Sequence, residues 1–387
     1  MPKNIVFCAD GTWNSPYADD NHDQVPDPTN VCKLFMNLEG ELSADSSSST
    51  DDTKGELEKT LALAGQDVQV AKYIHGVGDS HNTIHKLMGG AFGAGVISRV
   101  VRGYTFISRN FEPGDEISIV GFSRGAYTAR ALAGLIASQG LLSTKITPNK
   151  EIAYQRGAEA WYRYRSATKT KSFSLARLAE VAVDLPAFIS QITLNDNDFV
   201  PAGHIRAVAV WDTVGAMGLP RYISQDERAD AFKFADLKLS PIVQYGLHAV
   251  ALDERRIDFS PTLWDAAANV TQMLFPGAHG DVGGGYPMIN NESGLSDIGL
   301  QWMMEQLANI GVRFSTTAAY PIKPDALGVA HNPSAHVPWK IPGIPLGPRK
   351  LPKDLLQHPS IAARMAAAQV SADPGTKAAP YKPRNLP

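Results

Sequence analysis

Short runs of apolar residues alternate with longer stretches in which apolar positions recur at helical spacing. Strand-like runs fall at 4–9, 68–74, 116–120, 205–211 and 268–275. Helical patterns follow several of them, at 29–38, 95–110, 124–139 and 297–310. Strands alternating with helices predict an α/β fold, a mostly parallel sheet covered by helices on both faces. The unbroken apolar character of Glu116-Ile117-Ser118-Ile119-Val120 suits a central parallel strand. In such sheets ligands bind beyond the carboxyl ends of the strands, so the residues just after each run are the ones to read for chemistry.

Three regions break the alternation. Residues 41–59 are rich in Ser and Asp and read as a surface loop. Residues 144–200 carry Trp161, Tyr162 and Tyr164 and then an apolar-periodic run, which predicts a helical insertion over the main domain. Within it, residues 172–192 place Phe173, Leu175, Leu178, Val181 and Leu185 on one stripe, interrupted near Pro186. That stripe fits a helix packed on the core or a mobile lid. Residues 338–387 are Pro-rich and read as a poorly packed tail or an extended arm. The expected organisation is one main α/β domain over 1–337, holding the 144–200 insertion, followed by the 338–387 tail.

The chain has 387 residues, with 44% hydrophobic and 19% charged positions, enough to bury a sizeable core. Its 36 basic and 39 acidic side chains leave a net charge of −3, which gives no global argument for a nucleic-acid partner. Cys8 and Cys32 are its only cysteines, too few for a disulfide framework or a cysteine zinc site. No run reaches the length of a membrane span. The chain opens Met-Pro-Lys-Asn and passes directly into Ile5-Val6-Phe7-Cys8-Ala9, a buried first strand rather than a signal-peptide core. Synthesis in the cytoplasm without a general secretory signal is therefore expected.

The strongest chemical signal is Gly121-Phe122-Ser123-Arg124-Gly125, a G-x-S-x-G pattern between strand 116–120 and helix 124–139. In that setting a serine is lifted above the sheet on a tight turn. The Arg124 N–H, at the start of the helix, can donate to an oxyanion. A serine nucleophile needs a base and an orienting acid. Asp212 follows strand 204–211 at once. His279 follows strand 268–275 in the glycine-dense turn Pro276-Gly277-Ala278-His279-Gly280-Asp281. The order Ser, Asp, His along the chain is that of α/β-hydrolases. Asp281 is a rival for the acid; two residues from His279 it would need a tight local turn, and it fits better as a support behind His279 or a cap shaping the glycine turn. At the end of the first strand, Gly11 or Thr12 is placed to give a second oxyanion N–H, with Asp10 holding the loop. Cys8-Ala9-Asp10-Gly11-Thr12 also looks like the D-x-D-G-T of aspartyl phosphatases, but Cys8 stands where that nucleophile should be.

These blocks together, FCADGTWN (7–14), PGDEISIVGFSRGAYTARALAGLI (113–136), VAVWDTVGAMG (208–218), HAVALDERRIDFSPTLW (248–264) and FPGAHGDVGGGY (275–286), resemble a family of α/β-hydrolase-like proteins that includes one class of type VI secretion phospholipase effectors. The resemblance spans residues 4 to about 312. It implies an α/β-hydrolase fold, a Ser–Asp–His triad mapping to Ser123, Asp212 and His279, no metal and no cofactor. It also implies an ester or phospholipid substrate met at a membrane surface, export by a specialised secretion system, and a secretion-apparatus or immunity partner. The reading is thus a serine esterase, of the lipase or phospholipase kind, working through an acyl-enzyme. Two rivals remain at this point. Asp10, Asp212, His279 and Asp281, all at strand ends, could form a metal site for phosphate-ester cleavage. Alternatively, a hydrolase scaffold could serve as a non-catalytic partner-binding module. Asp253, Glu254, Arg255 and Arg256 read as a structural ion-pair group, or through Arg255 or Arg256 as a site for an anionic head group.

Overall fold

The computed structural model describes residues 2–11, 14, 25–43, 56–76, 92–167, 193–214, 237–335, 345–383 and 385–386. Eleven strands are present among them: β1 (Asn4–Ala9), β2 (Glu41–Leu42), β3 (Leu57–Leu63), β4 (Gln66–Ile74), β5 (Glu116–Phe122), β6 (Leu141–Leu142), β7 (Phe199–Val200), β8 (Ile205–Trp211), β9 (Val243–Ala251), β10 (Val270–Phe275) and β11 (Leu356–Gln357). Nine form one sheet in the order β11-β10-β9-β8-β5-β1-β4-β3-β2. From β11 to β4 every neighbour is parallel. The far edge turns antiparallel through a hairpin in which Leu63 faces Gln66. Its two loop residues, Ala64 and Gly65, both have positive φ (51° and 77°), the backbone a two-residue hairpin demands.

Seven helices cover the sheet: α1 (Asn30–Asn37), α2 (Phe92–Asn110), α3 (Arg124–Gln139), α4 (Lys150–Ala167), α5 (His279–Gly283), α6 (Gly294–Asn309) and α7 (Pro359–Ala366). Strand alternation assigns the faces. On β1, Ile5, Phe7 and Ala9 pack with Val100, Val101, Tyr104 and Ile107 of α2, Leu132 and Ile136 of α3, and Trp161 and Tyr164 of α4. Val6 and Cys8 point the other way, toward Val31, Leu34 and Phe35 of α1 and Leu300, Met303 and Leu307 of α6. Both faces of the central strands are thereby buried, which is why their sequences are continuously apolar. Each such fully buried side chain contributes about 1.5–3 kcal/mol. Cys8 and Cys32 are free, buried thiols.

This is the mostly parallel, doubly covered α/β sheet expected from the sequence, of the α/β-hydrolase type. β1, β5, β8 and β10 deliver residues 10, 123, 212 and 279 toward one end of it. Two expectations need revision. Residues 41–59 are not a loop throughout, because Glu41–Leu42 and the start of Leu57–Leu63 pair as edge strands. Strand β9 was not anticipated; Gln244, Tyr245 and His248 interrupt its apolar run. Of the 144–200 insertion, α4 packs on the α2–α3 face. The stripe at 172–192 lies outside the described residues. The Pro-rich segment is an arm along one sheet edge. It adds β11 beside β10, and the Arg364 guanidinium donates to the carbonyls of Ala326, Gly328 and Ser371.

Candidate active site

Ser123 sits between β5 and α3 with φ 56° and ψ −120°, a backbone conformation unfavourable for a residue with a Cβ. Two glycines make the turn sterically feasible. A Cβ on Gly121 would stand 2.4 Å from the Gly125 carbonyl oxygen, and one on Gly125 would stand 2.1 Å from the Ala9 oxygen. The elbow thus presses directly on the end of β1. The Ser123 N–H donates to the Trp211 carbonyl at 3.1 Å, tying the elbow to the end of β8. One residue further, Asp212 also has positive φ (36°), and its N–H donates to the Ala249 carbonyl at 2.7 Å.

His279 opens α5 and bridges the two. Its Nε2 lies 2.8 Å from Ser123 Oγ, and its Nδ1 lies 2.6 Å from Asp212 Oδ2. The Asp212 carboxylate accepts a hydrogen bond from the Nδ1–H, which leaves Nε2 as the acceptor facing the serine hydroxyl. The imidazole lies between Phe122, ring centroids 4.6 Å apart, and the edge of Phe259 at 5.1 Å. Burial lowers the His279 pKa from the ordinary 6.5, and the hydrogen bond to Asp212 only partly restores it. Ser123 and His279 are each 7% exposed and Asp212 is fully buried, so solvent meets the relay at its Ser123–His279 end.

Four hydrogen bonds saturate the Asp212 carboxylate. Besides His279, Oδ1 accepts from the Ala251 N–H at 2.9 Å. The Arg349 guanidinium then grips both oxygens, Nη1 to Oδ1 at 2.7 Å and Nη2 to Oδ2 at 2.8 Å. Burial would raise the Asp212 pKa, but the charge and hydrogen bonds of Arg349, together with His279, overturn that and hold it well below the usual carboxylate range. Arg349 comes from the Pro-rich arm. No local spacing in the sequence points to it, and sequence reasoning missed it.

The other anticipated residues lie around this relay. Asp10 is buried and holds its loop: Oδ1 accepts from the Gly11 N–H at 2.7 Å, and Oδ2 from Thr29 Oγ1 at 2.7 Å and Tyr73 OH at 2.6 Å. Burial pushes its pKa up to about 6 despite those bonds. Gly11 lies against Ser123, since a Cβ there would meet Ser123 Cβ at 3.2 Å. Its N–H is directed to Asp10, however, and that leaves it poorly placed to serve an oxyanion. Thr12 lies outside the described residues. Arg124 is the first residue of α3, where backbone N–H groups have no acceptor within the helix. Asp281 does not face His279. It accepts from the Ala278 N–H at 2.8 Å and from His331, whose Nδ1 is 2.6 Å from Oδ1. Burial would lower the His331 pKa, but Asp281 and Glu292 raise it. The four residues of the metal-site alternative therefore do not converge. Asp10 turns to Tyr73 and Asp281 to His331, and among the described residues no group of three His, Cys, Asp or Glu is arranged to hold a metal ion.

Behind His279, Glu254 and Arg256 form a buried ion pair, Arg256 Nη2 to Glu254 Oε2 at 2.7 Å. Glu254 Oε2 also accepts from the His279 N–H at 3.3 Å. Burial opposes ionisation of Glu254, yet Arg256 brings its pKa down to about 2. The Arg256 guanidinium lies over the Phe259 ring, 3.5 Å from its centroid. Asp253 accepts from the Gly277 N–H and from Tyr381 OH. Asp253, Glu254 and Arg256 hold the loop after β10 and are engaged within the protein, as the structural reading has it, whereas Arg255 is exposed.

Residues 3–306 match the family described as type VI secretion system phospholipase effector Tle1-like, catalytic domain. An uncharacterized protein of Saccharomyces cerevisiae is 30% identical over 258 residues, 66% of this chain and 32% of its own length. Among solved structures, an uncharacterized protein from Pseudomonas aeruginosa aligns with 18% identity and a TM-score of 0.44, covering 81% of this chain and 47% of that one. The Tle1 effector bound to the VgrG spike of the type 6 secretion system aligns with 18% identity and a TM-score of 0.39, over 76% of this chain and 53% of that one. A thermophilic esterase from Thermogutta terrifontis with bound propionate aligns at 12% identity and a TM-score of 0.35, covering 82% and 86%. The chain spans about a third of the yeast relative and about half of the first two structures.

Proposed function

This chain belongs to the Tle1-like family of type VI secretion phospholipase effector catalytic domains, and from that premise we propose that it is a serine esterase acting on phospholipids. The observation that carries the proposal is the relay itself. Asp212 Oδ2, His279 and Ser123 Oγ are joined at 2.6 and 2.8 Å, with the serine on a strained elbow at the start of a helix. Ser123 Oγ attacks the ester carbonyl while His279 Nε2 takes its proton. The tetrahedral oxyanion is met by backbone N–H groups at the start of α3, Arg124 first among them. Collapse expels the alcohol, which leaves with the proton from His279. Water, deprotonated by the same imidazole, then releases the acid and restores the Ser123 hydroxyl. Asp212 keeps the Nδ1 proton in place and stabilises the transient imidazolium.

The lipid substrate rests on the family and on the apolar setting. Phe122 and Phe259 flank His279, and Ile257, two residues before Phe259, and Leu346, bridged to Arg256, are 48% and 44% exposed. Export by a type VI apparatus, with an apparatus component as partner, is part of the same proposal and rests on the family alone. No helix among the described residues is long and apolar enough to cross a membrane.

The test is a panel of diacyl phospholipids and short soluble esters, run with wild type beside Ser123→Ala, together with labelling by an activated fluorophosphonate. We expect hydrolysis and labelling by wild type and neither by the folded Ser123→Ala protein. Turnover by Ser123→Ala near that of wild type would end the serine mechanism. Cleavage of short esters with none of phospholipids would end the lipid assignment. A wild-type protein that neither labels nor turns over any ester would leave the scaffold as a binding module.

A further inference from the structure

We propose that Arg349, carried on the C-terminal arm outside the matched catalytic region, is a positioning residue that aims the Asp212 carboxylate at His279. The inference rests on the serine-hydrolase reading and adds to it a residue that the residues 3–306 do not contain.

The geometry is that of a clamp rather than an incidental surface pair. The Arg349 side chain is 2% exposed and the Asp212 side chain 0%. Two parallel N–H···O bonds, at 2.7 and 2.8 Å, fix the plane of the carboxylate, a fork that arginine can form and lysine cannot. The same Nη1 donates to the Ala251 carbonyl at 2.7 Å, and Nη2 to the Phe259 carbonyl at 2.5 Å. The guanidinium is therefore itself fixed from two sides, one being the loop that carries the ring against His279. The arm is held in turn: Arg349 N–H donates to Asn385 Oδ1 at 3.1 Å, and Asn385 Nδ2 donates to the Leu252 carbonyl at 2.6 Å. Gly347 N–H reaches the Arg255 carbonyl, and Ile257 N–H the Pro345 carbonyl. Asp212 sits on a positive-φ residue at a strand end, so its orientation is not set by regular backbone. Without the fork, Oδ2 would keep only His279 as partner.

A cation on the acid also tunes the base. Asp212 favours the His279 imidazolium and Arg256 opposes it; Arg349, in contact with the carboxylate, offsets part of the Asp212 charge. The other ionisable groups around the relay are Glu254 and Arg256 on the segment after β9, His248 of β9, whose Nε2 accepts the Thr213 N–H at 3.1 Å, and Arg124 at the start of α3. Arg256 and Glu254 pair with each other, which leaves Arg349 as the cation in direct contact with the acid. Removing it should favour the imidazolium and move the acid limb of kcat/KM to higher pH.

The test uses the full chain on a short soluble ester, comparing wild type, Arg349→Met, Arg349→Lys and Arg349→Ala across pH. Ser123→Ala serves as the control that the reaction is the serine one. Expected are a fall in kcat of about 100-fold for Arg349→Met with KM little changed, an acid limb displaced upward, and an intermediate loss for Arg349→Lys. Guanidinium at millimolar concentration should restore part of the kcat of Arg349→Ala, a rescue that a merely unfolded arm would not give. The downfield proton resonance of the His279–Asp212 hydrogen bond should shift in the lysine variant, which keeps the charge if the methionine variant does not fold. If folded Arg349→Lys shows wild-type kcat, acid limb and resonance, the positioning role is overturned. Loss of activity in Arg349→Ala without guanidinium rescue and without a change in the acid limb also overturns it, in favour of a purely structural role. Activity that survives in Ser123→Ala would instead overturn the serine reading.

Discussion

At the scale of single residues, the candidate site divides into groups that touch the reacting atoms and groups that hold them. Asp212→Asn keeps the shape but loses the acceptor for the Nδ1 proton, so His279 adopts the wrong tautomer. We expect kcat to fall by about 10⁴ in steady-state assays on a soluble ester. Asp281 faces His331 rather than His279, so Asp281→Asn should stay within about tenfold of wild type, less than the change that misplacing a reacting group brings. A larger loss for Asp281→Asn than for Asp212→Asn would reverse their roles. Burial holds the His279 pKa below the ordinary 6.5 because it penalises the charged form. As the proposed base His279 must be neutral to act, and a lowered pKa keeps it neutral further into acid. The acid limb of kcat/KM should therefore lie below pH 6.5, and a limb above that value would contradict the buried geometry. Ser123 was legible because two glycines bracket it, and Asp212 and His279 because each follows a strand in hydrolase order. Arg349 was not. It reaches Asp212 across 137 residues of chain from a Pro-rich stretch, and a contact made only in three dimensions leaves no local spacing to read.

At the scale of elements, the sheet positions the site through close backbone approaches that leave no room for change. Gly125 of α3 meets the carbonyls of Ala9 and Asp10. Gly125→Ala should destabilise the protein by about 1–3 kcal/mol in urea unfolding, and should lower kcat with it because the elbow must shift. α1 and α6 are joined by a buried ion pair, Lys33 Nζ to Asp297 Oδ1 at 2.9 Å. Lys33→Met would strand the carboxylate and should cost about 3–5 kcal/mol. The double variant Lys33→Met/Asp297→Leu should recover part of that loss, and no recovery would show that Asp297 matters through its bond to the Lys323 N–H instead. The central strands and the helices 95–110, 124–139 and 297–310 were legible because buried parallel strands and amphipathic helices carry unambiguous periods. β9 was hidden because Gln244 and Tyr245 face solvent at its start and His248 is a polar side chain buried inside the fold. His248 accepts from the Thr213 N–H and lies 3.3 Å from Gln272 Oε1, so a residue that looks like loop polarity is a satisfied core partner.

At the scale of the whole molecule, the parallel strands and the arm form one construction. β11 extends the sheet at the edge beyond β10, and Asn385 and Tyr381 bind back onto Leu252, Glu254 and Asp253. The region matched by the family ends at residue 306, yet the carboxylate at the centre of the proposed relay is gripped from beyond it. Two of the three relay residues, Ser123 and Asp212, have positive φ without being glycine. Each such backbone costs of the order of 1–3 kcal/mol, which the rest of the fold must offset. Ser123→Ala keeps the Cβ and therefore the strain, whereas Ser123→Gly relieves it. Thermal unfolding of these two equally inactive proteins should differ, with the glycine form melting higher by the equivalent of about 1 kcal/mol. Selection for heat resistance alone would thus drift toward glycine at the proposed nucleophile, giving up the hydroxyl as it improved the fold.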